Sequence, residues 1–219
     1  MVIIIGGSWG IGHWTNNELT GPGIAQYFGF VDVTLNLCRS GDSNLDQLQR
    51  FAELIGKLGV DSQDKIYWLV HNPIVNEAPE RLCRGNTIRE SVLEVLHKHL
   101  DYANTVAMEN NFYIELIGAS CDLNDIDVKQ YSHLYVKVPS WGQLLDSSYP
   151  ASIFSHQSDH MHELKRYIEQ HRTDLKDEYD KMGGLAFGKR RTMLNFEKLF
   201  SSFHPTSLAH EILMKHLTS

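Results

Sequence analysis

Cysteine is scarce in this chain. It has three, Cys38, Cys83 and Cys121, with no CxxC pair and no paired metal-ligand spacing. A disulfide framework and a thiolate metal site are therefore not expected, and the odd count favours a reducing compartment. Cys38 and Cys121 end predicted strands and read as small buried hydrophobes. Long apolar runs are lacking too. The N-terminal run covers only Val2 to Ile5 and has no basic leader, so it reads as a strand and not a signal peptide. No run approaches the roughly 20 residues that cross a bilayer, and a cytoplasmic location without membrane contact is expected. Basic charge is short: 20 Lys and Arg stand against 27 Asp and Glu, for a net charge of -7. That balance disfavours a general nucleic-acid surface and favours solubility. Repeats and low-complexity tracts are also missing, which excludes solenoids and disordered linkers.

What is present is alternation. Val2–Ile5, Val31–Leu37, Lys65–Val70, Phe112–Ile117 and His133–Val138 read as strands, several of them almost continuously apolar. Such runs fit a parallel sheet covered on both faces. Between them, Leu45, Leu48, Phe51, Ala52, Ile55 and Leu58 fall at helical spacing, with Ser43 or Asn44 as N-cap. Ser91–Met108 and Pro205–Leu217 give two further helices. At 219 residues, one doubly wound α/β domain is expected, a three-layer α/β/α sandwich around a five-stranded parallel sheet. Sites in such sheets lie at the carboxyl ends of the strands. Ser8, Gly41, Asn72 and Ser120 all follow predicted strands, so one crevice can gather them.

Residues from about 140 to 202 differ in composition. They are polar, rich in charge and histidine, and predicted helical over Asp159–Tyr179. A glycine-rich turn at Met182–Gly188 and the basic run Lys189-Arg190-Arg191 follow. This stretch reads as an insertion before the last helix, a lid or a contact surface. His156, Asp159, His160 and His162 cluster within it, but a solvated helix face explains them better than a metal site does.

Two residues at opposite ends of the chain suggest chemistry. Ser8 follows the apolar run and a glycine turn in Ile4-Ile5-Gly6-Gly7-Ser8, and His204 precedes Pro205. Acyl transfer needs a nucleophile, a base to take its proton, and donors for the oxyanion. Ser8 can be the first and His204 the second, with the proline read as the start of the last helix. Trp9, His13 and Trp14 flank the serine in sequence and are candidates to line an acyl or alcohol pocket. Trp141 follows the fifth strand and is a candidate for the rim of the crevice.

Four segments in order resemble the blocks of the SGNH (GDSL) hydrolase family. Ile4-Ile5-Gly6-Gly7-Ser8 resembles the nucleophile block. Leu37-Cys38-Arg39-Ser40-Gly41-Asp42-Ser43 resembles the second block, Leu69-Val70-His71-Asn72 the third, and His204-Pro205-Thr206 the last. The resemblance runs end to end and implies a flavodoxin-like fold and a serine esterase. It implies Ser8 as nucleophile and His204 as base, with oxyanion donors from the N–H groups of Ser8 and Gly41 and the side chain of Asn72. No cofactor or metal is implied. The implied partner is a small-molecule or carbohydrate acyl ester, such as an O-acetyl group on a sugar.

The chain departs from the family pattern at three places. Gly7 replaces the usual acidic residue, and Val70 and Pro73 replace the glycine and aspartate around the asparagine. Ser201 stands where the family has the aspartate that orients the histidine. A hydroxyl can accept the Nδ1–H bond but cannot offset an imidazolium. That exchange costs roughly 1–1.5 kcal/mol, about tenfold in rate. A catalytically weak glycan-binding or structural module is therefore the alternative. A second alternative is an NADP-dependent short-chain dehydrogenase, because Gly6-Gly7-Ser8-Trp9-Gly10-Ile11-Gly12 also resembles a cofactor loop. It needs a helix directly after that loop, and a tyrosine followed four residues later by lysine, which no tyrosine here has.

Overall fold

The apolar runs Val2–Ile5, Lys65–Val70 and Ile114–Gly118 assemble because they can bury both of their faces. The structure is a computed structural model that describes residues 1–15, 18–21, 34–75, 77–124, 126–147, 160–182, 199–201 and 204–218. In chain order, β1 (Val2–Ile5) runs into a one-turn helix, α1 (Ser8–Ile11), and an antiparallel pair, β2 (His13–Thr15) and β3 (Glu18–Gly21). Then come β4 (Thr34–Asn36), α2 (Asn44–Leu58), β5 (Lys65–Val70), α3 (Pro79–Leu82), α4 (Ile88–Glu109), β6 (Ile114–Gly118) and β7 (Leu134–Val138). The chain ends with α5 (Trp141–Leu145), α6 (His160–His171), the short pair β8 (Phe200–Ser201) and β9 (His204–Pro205), and α7 (Ser207–Thr218).

The 5-stranded sheet has the order β4-β1-β5-β6-β7, parallel throughout. Numbered among themselves, these strands follow the flavodoxin-like order 2-1-3-4-5. Alternate side chains of each strand enter different layers. Ile3, Ile5, Ile66, Trp68 and Val70 join Leu48, Phe51 and Ile55 of α2 and Val92, Leu96, Leu100 and Ala103 of α4. Val2, Ile4, Tyr67 and Leu69 join Leu213, Met214 and Leu217 of α7. Each fully buried large side chain contributes roughly 1.5–3 kcal/mol, so the register of the central strands is strongly specified.

The caps fix where the helices begin. Ser43 Oγ accepts the Asp46 N–H and the Asp46 carboxylate accepts the Ser43 N–H, each at 3.1 Å. Helix α4 starts at Ile88, three residues before the predicted Ser91, because Thr87 and Glu90 form a second capping box. That T-x-x-E signal stands in the sequence. The last helix also differs: it starts at Ser207, not Pro205. His204 and Pro205 are held extended by pairing with Ser201 and Phe200, and the Thr206 N–H donates to Leu199 O at 3.0 Å.

Much of the polar 140–202 stretch lies outside the described residues, including Lys189-Arg190-Arg191, His156 and Asp159. Its described part docks. Met161, Leu164 and Ile168 of α6 enter the core of the α2/α4 layer. After a 3-10 turn at Thr173–Leu175, the Glu178 carboxylate accepts the first N–H groups of α4, Ile88 at 2.8 Å and Arg89 at 3.1 Å. A carboxylate there also suits the positive end of the helix dipole. Among the described residues, no helix is long and apolar enough to cross a membrane, and no group of three or more His, Cys, Asp or Glu is placed to hold a metal ion.

Candidate active site

Strand order reverses between β4-β1 and β5-β6-β7, so the crevice at the carboxyl ends opens beside β1 and β5. Ser8 comes three residues after β1, and Asn72 two after β5. Ser8 is half-buried and begins α1, whose turn closes by the Gly10 N–H to Gly7 O bond at 3.1 Å. His204 reaches it from β9, with Nε2 3.0 Å from Ser8 Oγ across 196 residues of sequence. Ser201 is the backbone partner of His204 in the β8–β9 pair; its side chain lies outside the described residues.

The loop carrying Gly41 is stitched to the nucleophile turn. Leu37 N–H donates to Ile4 O at 2.8 Å and Arg39 N–H to Gly6 O at 3.0 Å, continuing the β1–β4 ladder. Asn36 bridges the same two segments: its Nδ2 donates to Gly10 O at 2.9 Å, and its Oδ1 accepts the Cys38 N–H at 3.0 Å. On the far side Arg50 ion-pairs with Asp42 and donates to Leu37 O at 2.8 Å, clasping both ends of the loop. Gly41 has φ +83, and a Cβ there would meet nothing within 4 Å. Glycine is required by conformation, because another residue would pay about 1–2 kcal/mol in this left-handed region.

Asn72 is 1% exposed. Its Oδ1 accepts the Ile74 N–H at 3.0 Å, which fixes the amide so that Nδ2 is the free end. That Nδ2 is buried and has no hydrogen-bond partner among the described residues. An unmet buried donor costs about 1–3 kcal/mol, which marks the place where an anionic oxygen would be welcome.

Behind these residues lies a histidine that sequence reasoning did not single out. His71 Nε2 accepts the Gly7 N–H at 3.1 Å, and its Nδ1 is 3.1 Å from Ser120 Oγ. Ser120 Oγ also accepts the Asn72 N–H at 3.2 Å. Burial, and then the charge of nearby His204, push the pKa of His71 from 6.5 down to about 4. The only available signal was position, a polar residue at the end of a buried strand. Its partner is 49 residues away.

The low pKa has a consequence for stability. Between about pH 6.5 and 4 the unfolded chain binds a proton at His71 that the folded chain refuses. The stability linked to this residue is complete above pH 6.5 and is lost as pH falls toward 4. Urea unfolding at pH 7 and 4.5 should show the wild type losing about 2–3 kcal/mol more than His71→Gln. Equal losses would show that His71 is charged in the fold.

The pocket candidates fare differently. Trp9 is 1% exposed and packs edge-on against Trp141 with ring centroids 5.5 Å apart, so its ring is buried behind the turn. Trp141 is fully buried and does not reach the crevice rim; its Nε1–H donates to Ala209 O at 3.3 Å. His13 and Trp14 have backbones in β2, but their side chains lie outside the described residues. The glycine-rich loop opens into one turn of helix and then β2, not the long helix that a dinucleotide pyrophosphate needs.

Fold and geometry together define a flavodoxin-like α/β protein with a serine–histidine pair at its topological switch point. No protein-family model matches the chain, and no curated protein sequence does. Among solved structures it is similar to the YXIM protein of Bacillus subtilis, at 13% identity and a TM-score of 0.44, over 99% of this chain and 54% of that one. It thus spans about half the length of that protein. It is also similar to a lipase/acylhydrolase from Enterococcus faecalis, at 11% identity and a TM-score of 0.40, over 99% of this chain and 92% of that one.

Proposed function

We propose that the chain is an SGNH-type serine esterase acting on small acyl esters, with O-acetyl groups on carbohydrate as the favoured substrates. One observation carries the reading: His204 Nε2 stands 3.0 Å from Ser8 Oγ, hydrogen-bond distance for a nucleophile and its base. His204 takes the Ser8 proton as Oγ attacks the acyl carbon. The carbonyl oxygen gains the negative charge and turns toward the Asn72 amide and the N–H groups of Ser8 and Gly41. The tetrahedral centre collapses, the C–O bond to the alcohol breaks, and His204 gives the alcohol its proton. Water, deprotonated by the same histidine, then releases the acid and regenerates Ser8.

The catalytically weak glycan-binding or structural module has in its favour the serine at position 201 and the polar stretch from about 140 to 202. Such a module has no use for a nucleophile paired with a base. A serine-reactive fluorophosphonate separates the two readings. An active esterase should take one equivalent on Ser8, mapped by mass spectrometry, and lose p-nitrophenyl acetate turnover in step with labelling. Unlabelled Ser8 and no turnover would overturn the esterase reading in favour of the module.

A further inference from the structure

We infer that His71 is a positioning residue for Ser8, and that with Ser120 it sets the spacing between the nucleophile turn and the oxyanion donor Asn72. This rests on the esterase reading and deepens it.

The bonding leaves the ring one arrangement. Gly7 N–H is a donor, so the His71 Nε2 that receives it carries no proton. A neutral imidazole then holds its proton on Nδ1 and donates it to Ser120 Oγ. The same oxygen accepts the Asn72 N–H. One ring and one hydroxyl therefore connect Gly7, the residue before the nucleophile, to Asn72, the proposed oxyanion donor, through three bonds of 3.1, 3.1 and 3.2 Å. The backbone of His71 is itself pinned. Asn44 Nδ2 donates to His71 O at 2.7 Å, and His71 N–H donates to Asn44 Oδ1 at 2.9 Å.

Gly7 is matched to the ring. A Cβ at position 7 would lie 2.9 Å from His71 Nε2 and 3.2 Å from its Cδ2, so a side chain there must displace the imidazole. His71 is 7% exposed, and its ring, with backbone on one side and a hydroxyl on the other, has little freedom to give way. His71 touches no reacting atom. It acts by holding the Gly7–Ser8 peptide, and a displacement of about 1 Å at a nucleophile can cost about 10²-fold in rate.

The test compares the full chain with His71→Phe, which keeps a ring and removes both nitrogens, and His71→Gln, which keeps an acceptor and a donor. With p-nitrophenyl acetate, His71→Phe should lose about 10²-fold in kcat with KM within about twofold, and His71→Gln should recover to within about tenfold of wild type. Ser120→Ala should show the same split at about tenfold, and it decides the matter if His71→Phe does not fold. Variants that melt earlier but keep kcat per folded molecule would overturn the positioning role. The imidazole ¹⁵N spectrum of the wild type tests the geometry without turnover: the proton should sit on Nδ1, and a ring protonated on Nε2 overturns the assignment. An inert wild type overturns the esterase reading and takes this role with it. An active wild type with an unaffected His71→Phe overturns this inference alone.

Discussion

Ser8→Ala should reduce turnover of p-nitrophenyl acetate by about 10⁴-fold or more, to a level set by the remaining oxyanion donors and substrate binding. The substitution removes the oxygen that His204 Nε2 faces at 3.0 Å. Ser8 is half-buried at the start of a single helical turn, so its loss leaves the sheet and both cores intact. The far-ultraviolet spectrum and melting temperature should stay near wild type, and the deficit then belongs to chemistry. His204→Ala should fall by a similar factor, and the double variant should be no worse than either single one. Groups that act as one unit fail together, whereas independent contributions would multiply. Multiplying losses would mean that the serine and the histidine serve separate purposes. Unchanged turnover in Ser8→Ala would move the search for a nucleophile elsewhere in the crevice.

The layers of this fold were legible because they rest on local pattern. Ile3, Ile4 and Ile5 announce a strand buried on both faces, and the Leu48-Phe51-Ile55 stripe announces a helix lying on it. The strand order follows from how such units wind. The ends of elements were less legible. Pro205 reads as a helix start, but the two residue pairs of β8 and β9, with the Thr206 N–H to Leu199 O bond beside them, outweigh that local preference and keep it extended. Trp141 shows the opposite failure. An aromatic just past a strand suggests a rim, yet it is the first residue of α5 and turns inward beneath α7, against Trp9 and His210. Whether an aromatic faces in or out is decided by the helix above it, and that helix is about 65 residues further along the chain. For the candidate site, the order of four short motifs pointed to Ser8, Gly41, Asn72 and His204. Ser120 was legible as a residue of the crevice from its place after a strand, but its bonds, and the scaffold of His71, Asn36 and Asn44, were hidden because they join segments remote in sequence.

Asn72→Ala should lower kcat by about 10²–10³-fold while KM changes little, the signature of a donor used only in the transition state. Its Nδ2 is buried without a partner among the described residues, and a buried donor left unmet costs about 1–3 kcal/mol. On the proposed mechanism that donor is met by the full charge of the forming oxyanion, and the cost turns into stabilisation of the transition state. The same reasoning predicts a small change in stability. Alanine leaves the Ile74 N–H without the acceptor it has at 3.0 Å but also removes the unmet Nδ2, and these effects oppose each other. Asn72→Asp sharpens the argument. It keeps an oxygen for Ile74 and places a carboxylate where the oxyanion must form, so its kcat should fall below that of Asn72→Ala. A variant set with normal kcat and lowered stability would assign Asn72 to capping the 3-10 turn at Pro73–Val75. A raised KM at unchanged kcat would assign it to holding the substrate equally in the ground state and the transition state.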